Sequence, residues 1–157
     1  MGGLKAIISR IYLERSLGIR VNRPAVADPQ NVWVTRFTIA GGPVLITSLL
    51  GIRTVIQAGG ASNMQWRHSI GNTVLCVATA ITGNAILTTY SITGDPLDPI
   101  QIGLAGVPVI AGIKGNPAMA GLQGWGLLMQ VGNIQVTMPA AAGTGSTQFV
   151  LTYIPAI

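Results

Sequence analysis

The stretch Val32-Trp33-Val34-Thr35-Arg36-Phe37-Thr38-Ile39 decides the fold. In an extended chain Trp33, Phe37 and Ile39 fall on one face, while Arg36 and Thr38 share the other with Val32 and Val34. A period of two marks a strand with one side toward a core. Gly41-Gly42-Pro43 then turns the chain, since glycine accepts positive φ and proline cannot continue a central ladder. A second strand is predicted from Val44 to about Gln57, bent at Gly51.

Downstream the same grammar repeats. Ala58 to Ser62 is a turn, after which Met64, Trp66 and His68 share one face and Arg67 takes the other. Gly71-Asn72 suits a tight turn at positive φ. Thr73 to Ile81 reads as a buried β-branched strand closed by Thr82-Gly83-Asn84, and Ile86 to Ile92 as another. Gly94 to Pro99 is a loop, and two further strands are expected near 100–112 and 118–131. Gly132-Asn133 reads as a hairpin dipeptide before a strand from Ile134 to Met138, and Pro139 to Ser146 as a small-residue loop. Thr147 to Ile154 closes the chain with Phe149, Leu151 and Tyr153 on one face. Eight or nine short strands with no sustained helix predict an all-β fold: one antiparallel β-sandwich or barrel, jelly-roll-like, over residues 31–157.

Upstream, residues 1–30 read as an N-terminal arm and linker. Residues 4–20 fit either a short helix ended at Gly18 or an extended arm ordered by a partner; Pro24 and Pro29 mark 24–30 as the linker. Lys5, Arg10, Arg15, Arg20 and Arg23 place five of the nine basic residues within the first 23 positions. The body behind them is nearly neutral: only 8% of the chain is charged, and no Asp, Glu, Lys or Arg occurs from Gly115 to Ile157. Charge normally keeps soluble neighbours apart, so this composition predicts a surface covered by other subunits. The formal charge is +5, but the arginines alternate with Ile, Tyr and Leu and form no polybasic run, which argues against a nucleic-acid groove. They are instead candidate contacts to a protein partner, with Tyr12 as an apolar anchor.

Little else carries chemistry. His68 is the single histidine; a triad would require Asp28, Asp95 or Asp98 to fold beside it. Asp95 and Asp98 offer too few oxygens for calcium; they suit a turn or an arginine of a neighbouring subunit. Trp125, between Gly124 and Gly126, is either a core residue or the anchor of a subunit interface. The glycine-rich segments lack the Gly-Lys-Ser/Thr ending of a phosphate loop. Cys76, the lone cysteine, sits in an apolar run as a buried hydrophobe. Pro and Gly interrupt every apolar window before it reaches the span of a membrane helix, and Arg10, Glu14 and Arg15 break any signal-peptide core. The expectation is a non-enzymatic chain without catalytic, metal or cofactor sites, made without export.

The segments Arg10-Ile-Tyr-Leu-Glu-Arg-Ser-Leu-Gly-Ile-Arg-Val-Asn-Arg-Pro24, the strand–Gly-Gly–strand of 32–50, Thr89-Tyr-Ser-Ile-Thr-Gly94 and Leu151-Thr-Tyr-Ile-Pro155 together resemble the head decoration, or cement, proteins of tailed bacteriophages. The likeness is patchy and leaves 57–73 and 100–130 unmatched. It implies a β-rich homotrimer, made in the host cytoplasm, that sits on the outer capsid lattice and reinforces it. The partner would be the major capsid protein, met by Arg10, Tyr12, Arg15, Arg20 and Arg23, with Trp125, Asp95 and Asp98 at subunit interfaces. Rival expectations are a small self-assembling coat protein whose basic arm contacts nucleic acid, a tail or adhesion β module, and, with almost nothing to build a site from, a hydrolase.

Overall fold

The computed structural model describes residues 18–56, 62–105, 113, 126–138 and 145–156. Arg10, Tyr12, Arg15 and Trp125 lie outside the described residues, as do the parts of the expected turn and strands that fall at 57–61, 106–112 and 114–125. Eleven strands run in chain order among the described residues: β1 Ile19–Ala27, β2 Val34–Ile39, β3 Val44–Val55, β4 Asn63–His68, β5 Thr73–Val74, β6 Thr79–Ala80, β7 Thr89–Ser91, β8 Gln101–Gly103, β9 Leu127–Met129, β10 Gly132–Thr137 and β11 Ser146–Pro155. The helical content described is one 3₁₀ turn, Ile70–Asn72.

The strands form two antiparallel sheets. One has the order β1-β11-β3-β7-β8, with β9 also on β3; the other has β2-β10-β4-β5, with β6 also on β4. Setting aside the short β6, β8 and β9, the first strand pairs with the last, the second with the seventh, the third with the sixth and the fourth with the fifth. A long antiparallel ribbon folded over on itself produces this order, and it is the jelly roll. Among the described strands both sheets keep free edges, so the body is a sandwich and not a closed barrel.

The core is the meeting of the two inner faces. Met64 and Trp66 of β4, Ile134 and Val136 of β10, Ile46 and Leu49 of β3 and Phe149 of β11 are all sealed from solvent. The Trp66 and Phe149 rings meet edge to face across the sheets, 5.2 Å apart at 88°. That geometry sets a positive ring edge against a negative face and adds about 0.5–1.5 kcal/mol to the area buried.

Several sequence expectations need correction. Residues 19–27, read as arm and linker, are a strand of the first sheet, in register with β11 from Ile19↔Tyr153 to Ala27↔Ser146. Pro24 is tolerated because β1 is an edge strand and the register shifts between Arg23 and Val26. Trp33 is not on the core face: it lies ahead of β2, stacked under Arg67, whose Cζ is 4.2 Å from the ring centroid. Arg36 does not share the outer face with Thr38. Phe37 pairs with Ile134 but Thr35 with Gln135, so Arg36 is the extra residue of a bulge and turns toward the interior. Thr73 to Ile81 is not one buried strand but two short ones around buried Leu75 and Cys76. Ile86 and Leu87 are exposed in a turn, Leu87 at φ 69°, and the strand begins only at Thr89. Gly132 closes no hairpin, because β9 pairs with β3; it opens β10 opposite Ile39.

Candidate functional site: the open β1–β2 edge

In a jelly roll the first two strands lie at one side of the sandwich, each at the end of its own sheet. Here that side is laced at one end and open at the other. Asp28, just past β1, ties the closed end. Its carboxylate accepts hydrogen bonds from Arg53 Nη1 and from Thr147 Oγ1 (2.8 Å), and its amide donates to the Gly145 carbonyl (2.9 Å). Arg53, wholly buried on β3, also donates through Nε to the Tyr90 hydroxyl at 3.3 Å, which accepts from Asn84 Nδ2 at 3.2 Å. A buried arginine is tolerable only when paired and hydrogen-bonded; this cluster pairs the charge and satisfies Nη1 and Nε, while Nη2 is left without a hydrogen-bond partner.

The bulge residue Arg36 laces the two sheets. Its guanidinium lies 4.9 Å over the Phe149 ring and its Nη2 donates to the Ala27 carbonyl at 3.5 Å. Partial burial lowers the Arg36 pKa, and the nearby charge of Asp28 opposes that shift. From the other side Arg23 Nε donates to the Arg36 carbonyl at 3.1 Å.

Beyond Arg23 the sheets part. An open cleft of about 110 Å³ lies between β1 and β2, flanked by Val21, Arg23, Phe37 and Ile39, with Leu151 and Tyr153 behind. Arg20 stands exposed on the same strand, its Nε donating to Asn22 Oδ1 at 3.2 Å. Arg20 and Arg23 therefore lie on one edge strand, beside a recess whose surface mixes polar and apolar groups. The acids of the described residues are occupied elsewhere.

Asp95 and Asp98 stiffen their own loop. Asp98 accepts from Thr93 Oγ1 at 2.7 Å and Asp95 from the Leu97 amide at 2.9 Å, the side-chain-to-backbone bonding expected of an Asx turn. His68 is buried on the inner face of β4, its Nε2 without a hydrogen-bond partner, so the structure joins it to none of the three aspartates as a triad would require. Cys76 is also buried, its thiol pushed up to about 11 by burial, against the lowering effect of the Trp66 amide that donates to Sγ. No group of three or more His, Cys, Asp or Glu side chains that could hold a metal occurs among the described residues, and no described helix is long and apolar enough to cross a membrane.

Several large apolar side chains are exposed on the surface. Leu97 is 82% exposed, Leu104 67% and Leu87 62%, with Ile70 and Leu128 close behind. Sequence reasoning singled out Arg20 and Arg23 but missed Val21, Arg36 and the cleft, because nothing in the local pattern says which strand ends a sheet.

Together the strand order and this edge define the class: a single jelly-roll domain with a cationic, open side. Compared with known proteins, the chain matches no family model, no curated protein and no solved structure.

Proposed function

We propose that this chain is a virion cement protein, a jelly roll that assembles as a homotrimer on the outer face of a capsid and holds neighbouring shell subunits together by binding energy alone. The observation that carries the reading is the segregation of charge. Arg20 and Arg23 are exposed on an edge strand and follow Lys5, Arg10 and Arg15 in the chain, whereas Arg53 is spent on a buried ion pair and the C-terminal 115–157 carries no charge. Leu87, Leu97 and Leu104 are exposed apolar side chains that a subunit contact would cover. In the trimer, Trp125, Asp95 and Asp98 are interface candidates; on the shell, Arg10, Tyr12, Arg15, Arg20 and Arg23 face the major capsid protein.

The test is co-sedimentation of the purified chain with undecorated heads. Full-length protein is expected to pellet with heads and protect them from heat. Removal of residues 1–17 together with Arg20→Ala and Arg23→Ala should abolish pelleting; undiminished attachment of that variant would sink the proposal.

The jelly-roll order favours a second reading, since the same fold builds viral shells. A self-assembling coat protein would form closed particles unaided and bind nucleic acid with a steep inverse dependence on salt.

A further inference from the structure

The free edge of β1 has a more specific use. We infer that residues 19–23 receive an extended acidic segment of the partner as an added strand, which places one apolar side chain in the cleft between β1 and β2. This rests on the cement reading for the partner's identity, but not for the binding mode.

Four observations converge. First, β1 ends its sheet: β11 pairs with one side and no described strand with the other, so a row of backbone N–H and C=O groups faces outward. Second, the usable row is short and well bounded. Past Arg23 the register shift, Pro24 and the capture of the Ala27 carbonyl by Arg36 spoil the ladder, which leaves 19–23. Third, the side chains alternate as an added strand needs. Val21 and Arg23 border the cleft, while Arg20 lies with Asn22 on the outer face. The cleft, at about 110 Å³, is of the order of the roughly 150 Å³ cavity that accepts benzene, so one leucine-sized side chain fits. Fourth, the charge selects the occupant. Arg20 and Arg23 carry two positive charges on this edge, and none of the three acids among the described residues is bonded to them, Asp28 being held by Arg53.

A second copy of β1 is the weaker candidate on the same charges. Antiparallel β1–β1 pairing over 19–23 would face Arg20 with Asn22 and Arg23 with Ile19, gathering four arginines in a short ribbon without giving any of them an acid. An acidic, alternating segment makes the favourable contact instead, with the backbone bonds supplying affinity and the cleft and arginines supplying choice.

The test uses the full chain and short synthetic peptides that alternate aspartate with leucine, the same peptide with lysine for aspartate, and an aspartate peptide N-methylated on one edge. Amide hydrogen exchange should show protection of 19–23 by the aspartate peptide alone. Arg20→Glu, on the face taken by the aspartates, should weaken that binding roughly tenfold and turn the preference toward the lysine peptide, whereas Arg23→Glu, on the cleft face taken by the leucines, should weaken it less. Slow labelling of Cys76 shows that each variant remains folded. Protection elsewhere, no protection, or equal binding of the lysine peptide would overturn the inference. Because no shell is present, this outcome is independent of co-sedimentation: heads bound without 19–23 protection defeat the edge mode alone, and 19–23 protection without head binding defeats the cement reading alone.

Discussion

Arg53 and Asp28 form a hydrogen-bonded ion pair sealed inside the sandwich, with side-chain exposures of 0% and 2%. Neither charge is fixed by its own strand alone. Asp28 lies beyond the end of β1 and Arg53 on β3, with β11 between them supplying Thr147. The pair therefore welds the first strand to the middle of its sheet and sets the position of the open edge.

Removing one partner leaves the other charge buried and unpaired. Asp28→Ala is expected to destabilise the fold by about 3–5 kcal/mol, read from urea-denaturation midpoints. Asp28→Ala with Arg53→Met should recover most of that loss, because two neutral side chains need no compensation. A single Asp28→Ala cost below about 1 kcal/mol would contradict the buried geometry.

Gly132 serves a close approach. At φ +148° a side chain is strained, and a Cβ there would come within 2.5 Å of His68 Nε2. Gly132→Ala should lower stability by about 2–3 kcal/mol. Adding His68→Ala should relieve the contact but not the backbone strain, so recovery will be partial.

Cys76 yields a pH prediction with a definite sign. Its thiol is raised from 9.0 to about 11 in the folded chain, mainly by burial. The folded state therefore holds its proton where the unfolded chain has lost it. The contribution is complete below about pH 9 and is lost as pH rises toward 11, about 2–3 kcal/mol in all. Denaturation of wild type and Cys76→Ala across pH 8–11 should show a steeper alkaline fall in the wild type. Thiol labelling at neutral pH should be slow and should accelerate with denaturant.

The two stacked arginines should differ in weight. Arg36, over Phe149 and bonded to Ala27, joins the sheets; Arg36→Ala is expected to cost about 1–2 kcal/mol, with lysine recovering little of it. Arg67, stacked on half-buried Trp33 at the outer face, should cost under about 1 kcal/mol when changed to Ala. Thermal melts of both variants compare the two directly.

The fold class was legible because alternation is local. β3, β4 and β11 lie close to where their apolar periods place them, and Gly41, Gly42, Gly71 and Asn72 all adopt positive φ as turn residues should. Short bulged strands hid the rest. An extra residue at Thr47 against β11 shifts the inward set of β3 from Val44 and Ile46 to Leu49, Gly51 and Arg53. Carried from Leu49, the alternation would have put Arg53 in the core and demanded an acid, with only four in the chain to choose from. β1 was mistaken for a linker because its two faces are mostly exposed and its sequence carries a proline, both marks of an edge that no periodicity can reveal. The candidate site was half legible: Arg20 and Arg23 stood out by charge, whereas the cleft depends on Phe37 and Leu151, which are distant in sequence.

Imaging capsids incubated with this protein, at a resolution that shows the sandwich, tests the proposed cement role most directly. Trimers are expected on the outside of a shell built by another protein, with the β1–β2 side and its arginines turned toward that shell. Density in which the jelly roll itself forms the continuous wall, its leader pointing inward to nucleic acid, would contradict it.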